Sequence, residues 1–450
     1  MILRTSLSRI CRVSSAFSST LPLQKPNLYP RRSFVLTAAT MSTTNQAKKM
    51  KTEDQAVTNF REYLRIPTVH PDPDYEPAVD FLKRMAGELG LPIKVIEVYP
   101  KNPVVVISWE GKDPSLKSII LNSHMDVVPV FPEHWKCDPF SATKYDNGDI
   151  YARGTQDMKC VGIQYIEAIR KLIKRGEKPL RSIHMTFVPD EEVSGHKGMK
   201  LFVDHPEFKK LNMGFGLDEG LANPTEKFTV YYGERAVWWL IVTCKGHPGH
   251  GSRFLEDTAA EKLQSVLNSF LDYRESEKEK LKTCKTCRFL GDVTTVNLTG
   301  LEGGVQHNVV PSEFKAKFDI RVSPKTDMED LERKIDSWIK EAGEEVTYEF
   351  TQKGKPCETP IGDGSPWWRA FDAACKDENI DIVPEIFPAA TDSRYLRWAG
   401  YKCLGFSPMN NTPILLHDHN EFLNEDIFLR GIEIYERILM SIAGVAKDAE

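Results

Sequence analysis

A histidine and an aspartate two residues apart follow an apolar run in the segment LNSHMDVVP, residues 121–129. Side chains alternate along a strand, so His124 and Asp126 are expected to point to the same face. They stand where the chain leaves the predicted strand, the end at which open α/β sheets place their ligands. Pairs of this kind also occur in ordinary polar turns, so the remainder of the sequence must decide their role.

Four other segments carry acidic or imidazole side chains at the ends of predicted elements. YARGTQDMK places Asp157 before a helix, VPDEEVSG places three acids after a strand, GLDEG places two more, and ILLHDHNE places His417 after an apolar run. Each has an ordinary interpretation when taken alone. Asp157 could cap a helix, the acids at 190–192 could suit a helix dipole, and His417 could be a surface histidine.

Together the five segments favour a metal centre. The carboxyl ends of strands in an open α/β sheet meet at one edge. Imidazoles and carboxylates without cysteine suit zinc and related divalent ions, and two histidines with three carboxylates suit two metals that share a bridging carboxylate. In this interpretation Asp126 holds the ring of His124. Glu191, next to the ligand Glu192, takes a proton from the reacting water.

The elements that position these residues are predicted from apolar periodicity. Helical spacing over 54–66, 76–89 and 157–173 alternates with apolar strands, which indicates an α/β fold with a largely parallel sheet. Between residues 237 and 350 the order is strand, helix, strand, strand, helix, strand, the split βαβ order of a ferredoxin-like domain.

We therefore predict two domains after the first 45 residues. An α/β catalytic domain is formed by two pieces, 46–230 and 355–450, and a smaller α+β domain, 231–354, is inserted between them. Residues 1–45 are basic, rich in serine and free of acids, the composition of a transit peptide. The alternative is an unstructured leader, or a start at Met41.

The composition of the chain limits the classes of partner and the cellular compartment that we expect for the protein. The net charge of −5 argues against nucleic acid or an anionic membrane as the main partner, and no apolar run reaches the ~18 residues of a membrane span. Nine scattered cysteines suit a reducing compartment. Cys284 and Cys287 form a CxxC without the second pair that a structural zinc needs, so we interpret them as ordinary thiols. We predict a cytoplasmic location, with a mitochondrion or plastid as the alternative that the leader allows.

Five motifs carry a resemblance to a known family. LNSHMDVVP, YARGTQDMK, PDEEVSG, LDEG and LLHDHNE resemble the metal-site motifs of the di-zinc aminoacylase and carboxypeptidase superfamily. VPVFPEHWKCDPF, GHPGHGSRFLEDTAAEKL, PAATDSRY and GFSPMNNTPILLHDH are similar to its aminoacylase branch, and the likeness spans roughly residues 50–445. It implies an exopeptidase-like α/β catalytic domain with an inserted lid that forms a homodimer.

The resemblance also implies an activity. Two zinc ions per subunit would support hydrolysis of N-acyl-L-amino acids, especially N-acetylated neutral and hydrophobic ones such as N-acetyl-methionine. Metal-bound hydroxide, with a glutamate as general base, would release a carboxylate and a free L-amino acid. The sequence does not rank these substrates, and it does not distinguish zinc from cobalt or manganese.

Individual roles follow from the motifs that match. His124 and Glu219 would hold one zinc, Glu192 and His417 the other, and Asp157 would bridge them. The resemblance assigns the remaining roles as follows: Asp126 orients His124, Glu191 is general base and acid, His250 reaches the active site of the partner subunit and steadies the oxyanion, Asn308 and Arg321 bind the substrate, and Gly405 lies near the carboxylate pocket.

Two positions depart from the family pattern. Ser194 stands where glycine is usual, and His307 stands where tyrosine is familiar. The histidine–cysteine motif of plant auxin-conjugate hydrolases is absent at 121–129, which disfavours that branch.

Two other functions stay open. A dipeptidase or carboxypeptidase would use the same metals. A non-catalytic relative that binds amino-acid derivatives is disfavoured by the intact ligand set and Glu191.

Overall fold

The computed structural model describes residues 53–447. The predicted leader, 1–45, and the alternative start at Met41 lie outside the described residues. The helices are α1 Gln55–Leu64, α2 Glu76–Leu89, α3 Lys159–Lys174, α4 Met199–Phe202, α5 Pro206–Lys210, α6 Ala259–Thr283, α7 Met328–Glu341, α8 Pro366–Asp377, α9 Ser393–Trp398 and α10 Glu425–Ala443. The strands are β1 Ile93–Tyr99, β2 Asn102–Trp109, β3 Ser118–His124, β4 Thr143–Lys144, β5 Asp149–Tyr151, β6 Ile183–Val188, β7 Met213–Asp218, β8 Phe228–Glu234, β9 Ala236–Lys245, β10 Gly249–His250, β11 Thr295–Gly303, β12 Val309–Val310, β13 Glu313–Val322, β14 Val346–Lys353, β15 Cys357–Glu358, β16 Ile382–Phe387, β17 Lys402–Phe406 and β18 Phe422–Asn424.

A nine-stranded sheet forms the larger part of the molecule. Its order is β1-β2-β6-β3-β7-β17-β8-β15, and β16 also pairs with β8. Strands β6, β3, β7 and β17 are parallel to one another, whereas β1–β2, β2–β6, β17–β8 and β15–β8 pair antiparallel. The prediction of an α/β fold is confirmed, but the sheet is mixed: its centre is parallel, and β16 also pairs parallel with β8. The short connection Pro100-Lys101 between β1 and β2 permits only an antiparallel hairpin, because parallel neighbours need a long crossover.

Both faces of this sheet are covered, as strand β2 illustrates. Val105 and Ile107 belong to the main core, together with residues of α1, α2, α3, α8 and α10. Val104 and Val106 point the other way, into a second core that includes Phe202. Because successive side chains alternate between faces, a strand covered on both sides has a continuous apolar sequence. The run of valines in β2 reflects this double burial.

A four-stranded antiparallel sheet forms a separate hydrophobic core. Its order is β11-β13-β9-β14, and with α6 between β9 and β11 and α7 between β13 and β14 it has the split βαβ connectivity. Phe270 of α6 stacks on Phe318 of β13 with ring centroids 4.2 Å apart. Helix α6 begins with a capping box formed by Thr258 and Glu261, which satisfies backbone donors at its first turn.

The four-stranded sheet begins at Ala236. Strand β8, which precedes it, extends to Glu234 and pairs with β17 and β15 in the large sheet. The division into domains at 46–230, 231–354 and 355–450 stays a proposal. No helix within residues 53–447 is long and apolar enough to cross a membrane.

Candidate metal centre and active site

The predicted metal ligands lie at the carboxyl ends of adjacent strands. His124 is the last residue of β3, and Glu219 directly follows β7. Glu191 and Glu192 form a short 3-10 turn three residues after the end of β6. Because β3 lies between β6 and β7 with all three parallel, these ends meet at one edge of the sheet.

Asp157 and His417 complete the cluster from two loops. His124 Nε2 lies 2.9 Å from Asp157 Oδ1 and 3.6 Å from Glu219 Oε2. His417 Nε2 lies 3.2 Å from Asp157 Oδ2 and 2.9 Å from Glu192 Oε2. The two oxygens of Asp157 therefore face two different histidines, the arrangement expected of a carboxylate between two metal positions.

The charges of the cluster fit bound cations. Burial raises the pKa of Glu191 and of Glu219 well above the usual range, and that of Glu192 to about 7. Burial alone would also raise the pKa of Asp157, but hydrogen bonds with His124 and His417 outweigh it and the pKa is far below its usual value. Four carboxylates, of which Asp157 and Glu219 are buried and Glu191 and Glu192 half-buried, thus surround two imidazoles.

Ligand atoms are also available for an ion. His124 forms one group with Glu191 and Glu219 and another with Asp157 and Glu192, and in each group one ligand atom from every residue lies within 4.8 Å of the others. Glu192 Oε1 is buried and has no hydrogen-bond partner among the described residues. Such an orphan acceptor costs free energy unless something satisfies it. Imidazole and carboxylate donors with one spare oxygen fit divalent cations of the zinc type.

Asp126 orients His124 through its backbone carbonyl, whereas its carboxylate binds the turn that carries Glu191 and Glu192. His124 Nδ1 donates to the carbonyl of Asp126 at 2.9 Å, whereas the nearer carboxylate oxygen is 3.8 Å away. This bond places the proton on Nδ1 and leaves Nε2 as the ligand atom. The carboxylate of Asp126 accepts the backbone N–H groups of Glu191 at 3.2 Å and Glu192 at 3.0 Å. It therefore fixes the turn that carries the predicted base.

His70 is a residue of this site that the sequence analysis missed. Its Nε2 lies 2.8 Å from the second carboxylate oxygen of Asp126, and its side chain is buried. Its backbone N–H donates to the carbonyl of Val127 at 3.1 Å. The only sequence signal was a histidine in the segment VHPDPDY between two helices, and no periodicity distinguishes it from a surface loop residue.

We expect His70→Leu to lower kcat by about 10- to 100-fold with little change in KM, because the turn holding Glu191 loses its support. His70→Gln keeps an N–H near the position of Nε2 and should restore most of the activity. Steady-state kinetics and metal content of both variants test this. Equal losses in the two variants would show that the hydrogen bond to Asp126 is not what matters.

A cavity of about 510 Å³ opens beside the cluster. Glu191, Glu192 and His417 line it, together with residues of both sheets. The walls combine charged and aromatic side chains, among them Arg235, Trp239, Arg321, Arg394 and Trp398. A concave pocket in which polar groups with perturbed pKa values converge is typical of a small-molecule site.

Two arginines of the cavity differ in their partners. Arg321, predicted to bind substrate, lines the cavity, but its Nε and Nη2 donate to Asp319 at 2.7 and 3.0 Å. Arg394 belongs to the segment PAATDSRY but was not among the predicted site residues, and its Nη1 lies 4.0 Å from a carboxylate oxygen of Glu191. Its Nη2 donates to the carbonyl of Ser194 at 2.8 Å. Arg394 is thus a cation next to the predicted base.

Besides His124, Asp126, Asp157 and Glu219, which are buried in the cluster, three predicted residues lie outside the cavity lining. His250 is exposed and its Nδ1 contacts the hydroxyl of Ser252 at 2.7 Å. Asn308 is next to it, since the N–H of Gly251 donates to the carbonyl of Asn308 at 2.8 Å. Gly405 lies in β17, where a Cβ atom would come within 2.4 Å of the carbonyl oxygen of Glu219. That close approach requires glycine at position 405.

The departure at Ser194 is visible in the backbone. Ser194 has φ of 91°, in the left-handed region that glycine adopts without strain. Its carbonyl accepts hydrogen bonds from Arg394 and from the hydroxyl of Tyr395 at 2.5 Å. These two bonds from the wall of the cavity hold a serine in a conformation that favours glycine.

Comparisons with known proteins define the class. A family model described as Peptidase family M20/M25/M40 matches residues 120–441, and the chain belongs to this family. Within it, the chain is similar to aminoacylase-1 of Mus musculus, with 58% identity over 399 residues, 88% of this chain and 98% of that protein. It is 56% identical to aminoacylase-1 of Homo sapiens, over 89% of this chain and 98% of that protein.

A solved structure supports the fold. The M20 family metallo-carboxypeptidase Sso-CP2 from Sulfolobus solfataricus superimposes with a TM-score of 0.65 and 20% sequence identity, over 87% of this chain and 100% of that chain. At this identity the likeness concerns the fold alone.

Proposed function

We propose that the protein is a zinc-dependent amidohydrolase that converts N-acyl-L-amino acids to a carboxylate and a free L-amino acid. Amide hydrolysis by an aminoacylase-type enzyme follows from the identity of 58% and 56% to the two aminoacylases over nearly their whole length. The observation that carries the mechanism is the convergence of His124, Asp157, Glu192, Glu219 and His417 around Glu191 beside a cavity.

Two zinc ions fit the geometry as a pair. His124 and Glu219 would hold one, Glu192 and His417 the other, with one oxygen of Asp157 facing each histidine. Bound metal would lower the pKa of water and polarise the scissile carbonyl.

Glu191 moves the proton in this proposal. It lies between the metal ligands and Arg394, and burial raises the pKa of its carboxyl well above that of a surface glutamate. A base whose pKa lies nearer to neutrality can both accept a proton from the attacking water and return it to the leaving amine. The Asp126 carboxylate holds the backbone of Glu191 so that the carboxyl faces the cavity.

The cavity walls are suited to an acyl amino acid. Trp239 and Trp398 offer exposed aromatic surface for an apolar side chain. Arg321 and Arg394 offer positive charge for a free carboxylate. We propose Arg321 as a substrate contact from the cavity wall, and Gly405 as the residue that lets β17 approach Glu219. Asn308, which lies beside His250 and outside this lining, is proposed as a further substrate contact. N-acetylated neutral and hydrophobic amino acids such as N-acetyl-methionine are the proposed substrates.

We expect N-acetyl-L-methionine to release free methionine in a chelator-sensitive reaction. Dialysis against a chelator should abolish release, and two equivalents of zinc per subunit should restore it, because the carboxylates at the site need bound cations. The test measures release of free methionine before and after chelation. A methionine-containing dipeptide is assayed in parallel as a second substrate. Turnover of the dipeptide alone would favour the dipeptidase alternative, and chelator-resistant release would contradict the metal mechanism.

A homodimer through the smaller unit is also proposed. Apolar side chains near β10 and β12 are exposed, with Phe254 fully accessible and Val305 90% accessible. Such a patch suits an interface between subunits. His250, four residues from Phe254, does not line the cavity of its own chain, which is consistent with a contribution to the partner's site, where it would stabilise the oxyanion.

Mixing two inactive variants tests this arrangement. Glu191→Gln and His250→Ala should each be inactive alone, and activity should appear after they are mixed under conditions that exchange subunits. A mixed dimer has one site with an intact base from one subunit and an intact histidine from the other. A mixture of Glu191→Gln with Asp157→Ala is the matched control and should stay inactive. A monomer by sedimentation, or no activity on mixing, would contradict the proposal.

We propose the cytoplasm as the compartment. The eight cysteines within residues 53–447 are free, as is usual where thiols stay reduced. The test fuses a fluorescent protein to the full-length chain and to a chain started at Met41. The location of each fusion distinguishes the cytoplasm from a mitochondrion or plastid.

A further inference from the structure

Cys284 and Cys287 lie together at the end of the longest helix in the described chain. Helix α6 ends at Thr283, Cys284 follows as its C-cap, and a two-residue turn, Lys285-Thr286, leads to Cys287. The two sulfur atoms are 2.8 Å apart. Residues that flank a two-residue turn have Cα atoms less than ~7 Å apart, a separation that a disulfide can span.

The two thiols have different environments. Cys284 is partly exposed, and hydrogen bonds from Cys287, from the Thr286 hydroxyl at 3.2 Å and from backbone N–H groups lower its pKa to about 7. Cys287 is buried and its pKa is raised, chiefly by its contact with Cys284. An accessible thiolate next to a protected thiol is the usual arrangement of an attacking and a resolving cysteine.

The surroundings are basic. Lys285 and Arg288 are exposed around the pair in the segment KLKTCKTCRFL, and Lys282, also exposed, lies 3.4 Å from Glu279. Positive charge raises the local concentration of anionic molecules. A small disulfide that carries carboxylates, such as glutathione disulfide, matches this surface.

We propose that Cys284 and Cys287 form a reversible redox pair that exchanges with a small anionic disulfide. The Cys284 thiolate attacks one sulfur of the disulfide, the S–S bond breaks, and one thiolate of the small molecule leaves. Cys287 then loses its proton, attacks the Cys284 sulfur and releases the second thiolate. The protein dithiol loses two electrons and two protons, and the small disulfide is reduced to two thiols.

The chain that follows the pair is held in place. The N–H groups of Arg288 and Phe289 donate to Asp292 at 2.8 and 2.9 Å, and Lys325 lies 2.5 Å from the other oxygen of Asp292. A Cβ atom on Gly291 would lie 2.2 Å from the carbonyl oxygen of Ile386, so backbone packs directly on backbone there. Oxidation is therefore accommodated within the turn, and hydrolysis at the cavity should be unchanged.

The test uses the full-length protein equilibrated with glutathione disulfide, quenched with an alkylating agent and mapped by mass spectrometry. The peptide that contains both cysteines should lose two hydrogens and escape alkylation, and reduced glutathione should reverse this. Cys137, partly exposed in another part of the chain, is the internal control and should be alkylated throughout. Full alkylation of Cys284 and Cys287 in the oxidising buffer would overturn the proposal.

Single variants test the order of attack. Cys287→Ser should accumulate glutathione on Cys284, because the resolving thiol is missing, and Cys284→Ser should stay unmodified at Cys287. Glutathione on Cys287 of Cys284→Ser at the same rate would overturn the assignment of the nucleophile. Zinc retained by the pair after gel filtration, with no disulfide formed, would overturn the redox assignment and indicate metal binding. Hydrolytic activity, measured in parallel, is independent of these outcomes.

Discussion

Glu191→Gln is expected to lower kcat for N-acetyl-L-methionine by about 10²- to 10⁴-fold, the range for loss of a general base. Glutamine has nearly the same shape as glutamate but accepts no proton at its amide. The ligands His124, Asp157 and Glu192 are untouched, so metal content should equal that of the unmodified protein. Initial rates and metal analysis on the same preparation measure both quantities.

A matched control is available in the large sheet. Glu385 of β16 is also a partly buried glutamate, and burial raises its pKa to about 7, yet it does not line the cavity. Glu385→Gln should leave kcat unchanged. Full activity in Glu191→Gln would refute the role of Glu191, whereas an equal loss in Glu385→Gln would indicate a general effect of removing a buried carboxylate.

Asp157→Ala is expected to remove both metal ions and, with them, measurable turnover. The two oxygens of Asp157 lie 2.9 Å from His124 and 3.2 Å from His417, so this one carboxylate faces both histidines. Without this carboxylate each position keeps one histidine and one glutamate, which is too few protein ligands for a catalytic zinc. Metal content and turnover are the measurements.

Loss of fold would mimic loss of metal, so two further variants are needed. Asp157→Asn keeps the size of the side chain and one oxygen, and should fold but bind metal weakly. Asp146→Ala replaces an exposed aspartate and should keep both metals and full activity. Two retained metals in Asp157→Ala, with normal circular dichroism, would contradict the bridging role.

The parallel centre of the large sheet could be predicted because its strands are long, apolar and separated by helices. The convergence of His124, Glu192 and Glu219 then follows from topology, since β6, β3 and β7 end at the same edge. Two strands that pair with β8, namely β15 and β16, were harder to predict. β15 has two residues, and β16 reads IVPEIF with a proline inside, so neither carries a strong strand pattern.

The roles that sequence could not resolve depend on contacts between distant segments. Asp126 was expected to hold His124 by its carboxylate, but the carboxylate is occupied by His70 and two backbone N–H groups. Spacing shows that two residues share a face and does not show which atoms meet. Spacing was equally uninformative for a local contact, since Arg321 in the cavity wall pairs with Asp319, two residues away on the same strand.

The excess of carboxylates at the site links metal supply to the amount of folded protein. Gathering four acids in a buried cluster opposes folding of the metal-free chain, because like charges repel and lose hydration. An ion that binds only the folded chain shifts the equilibrium towards it, by about 4 kcal/mol at a concentration 1,000 times its Kd. The ligands that make the site reactive thus make the lifetime of the protein in the cell depend on free metal, and scarcity of the metal would remove the enzyme as well as its activity.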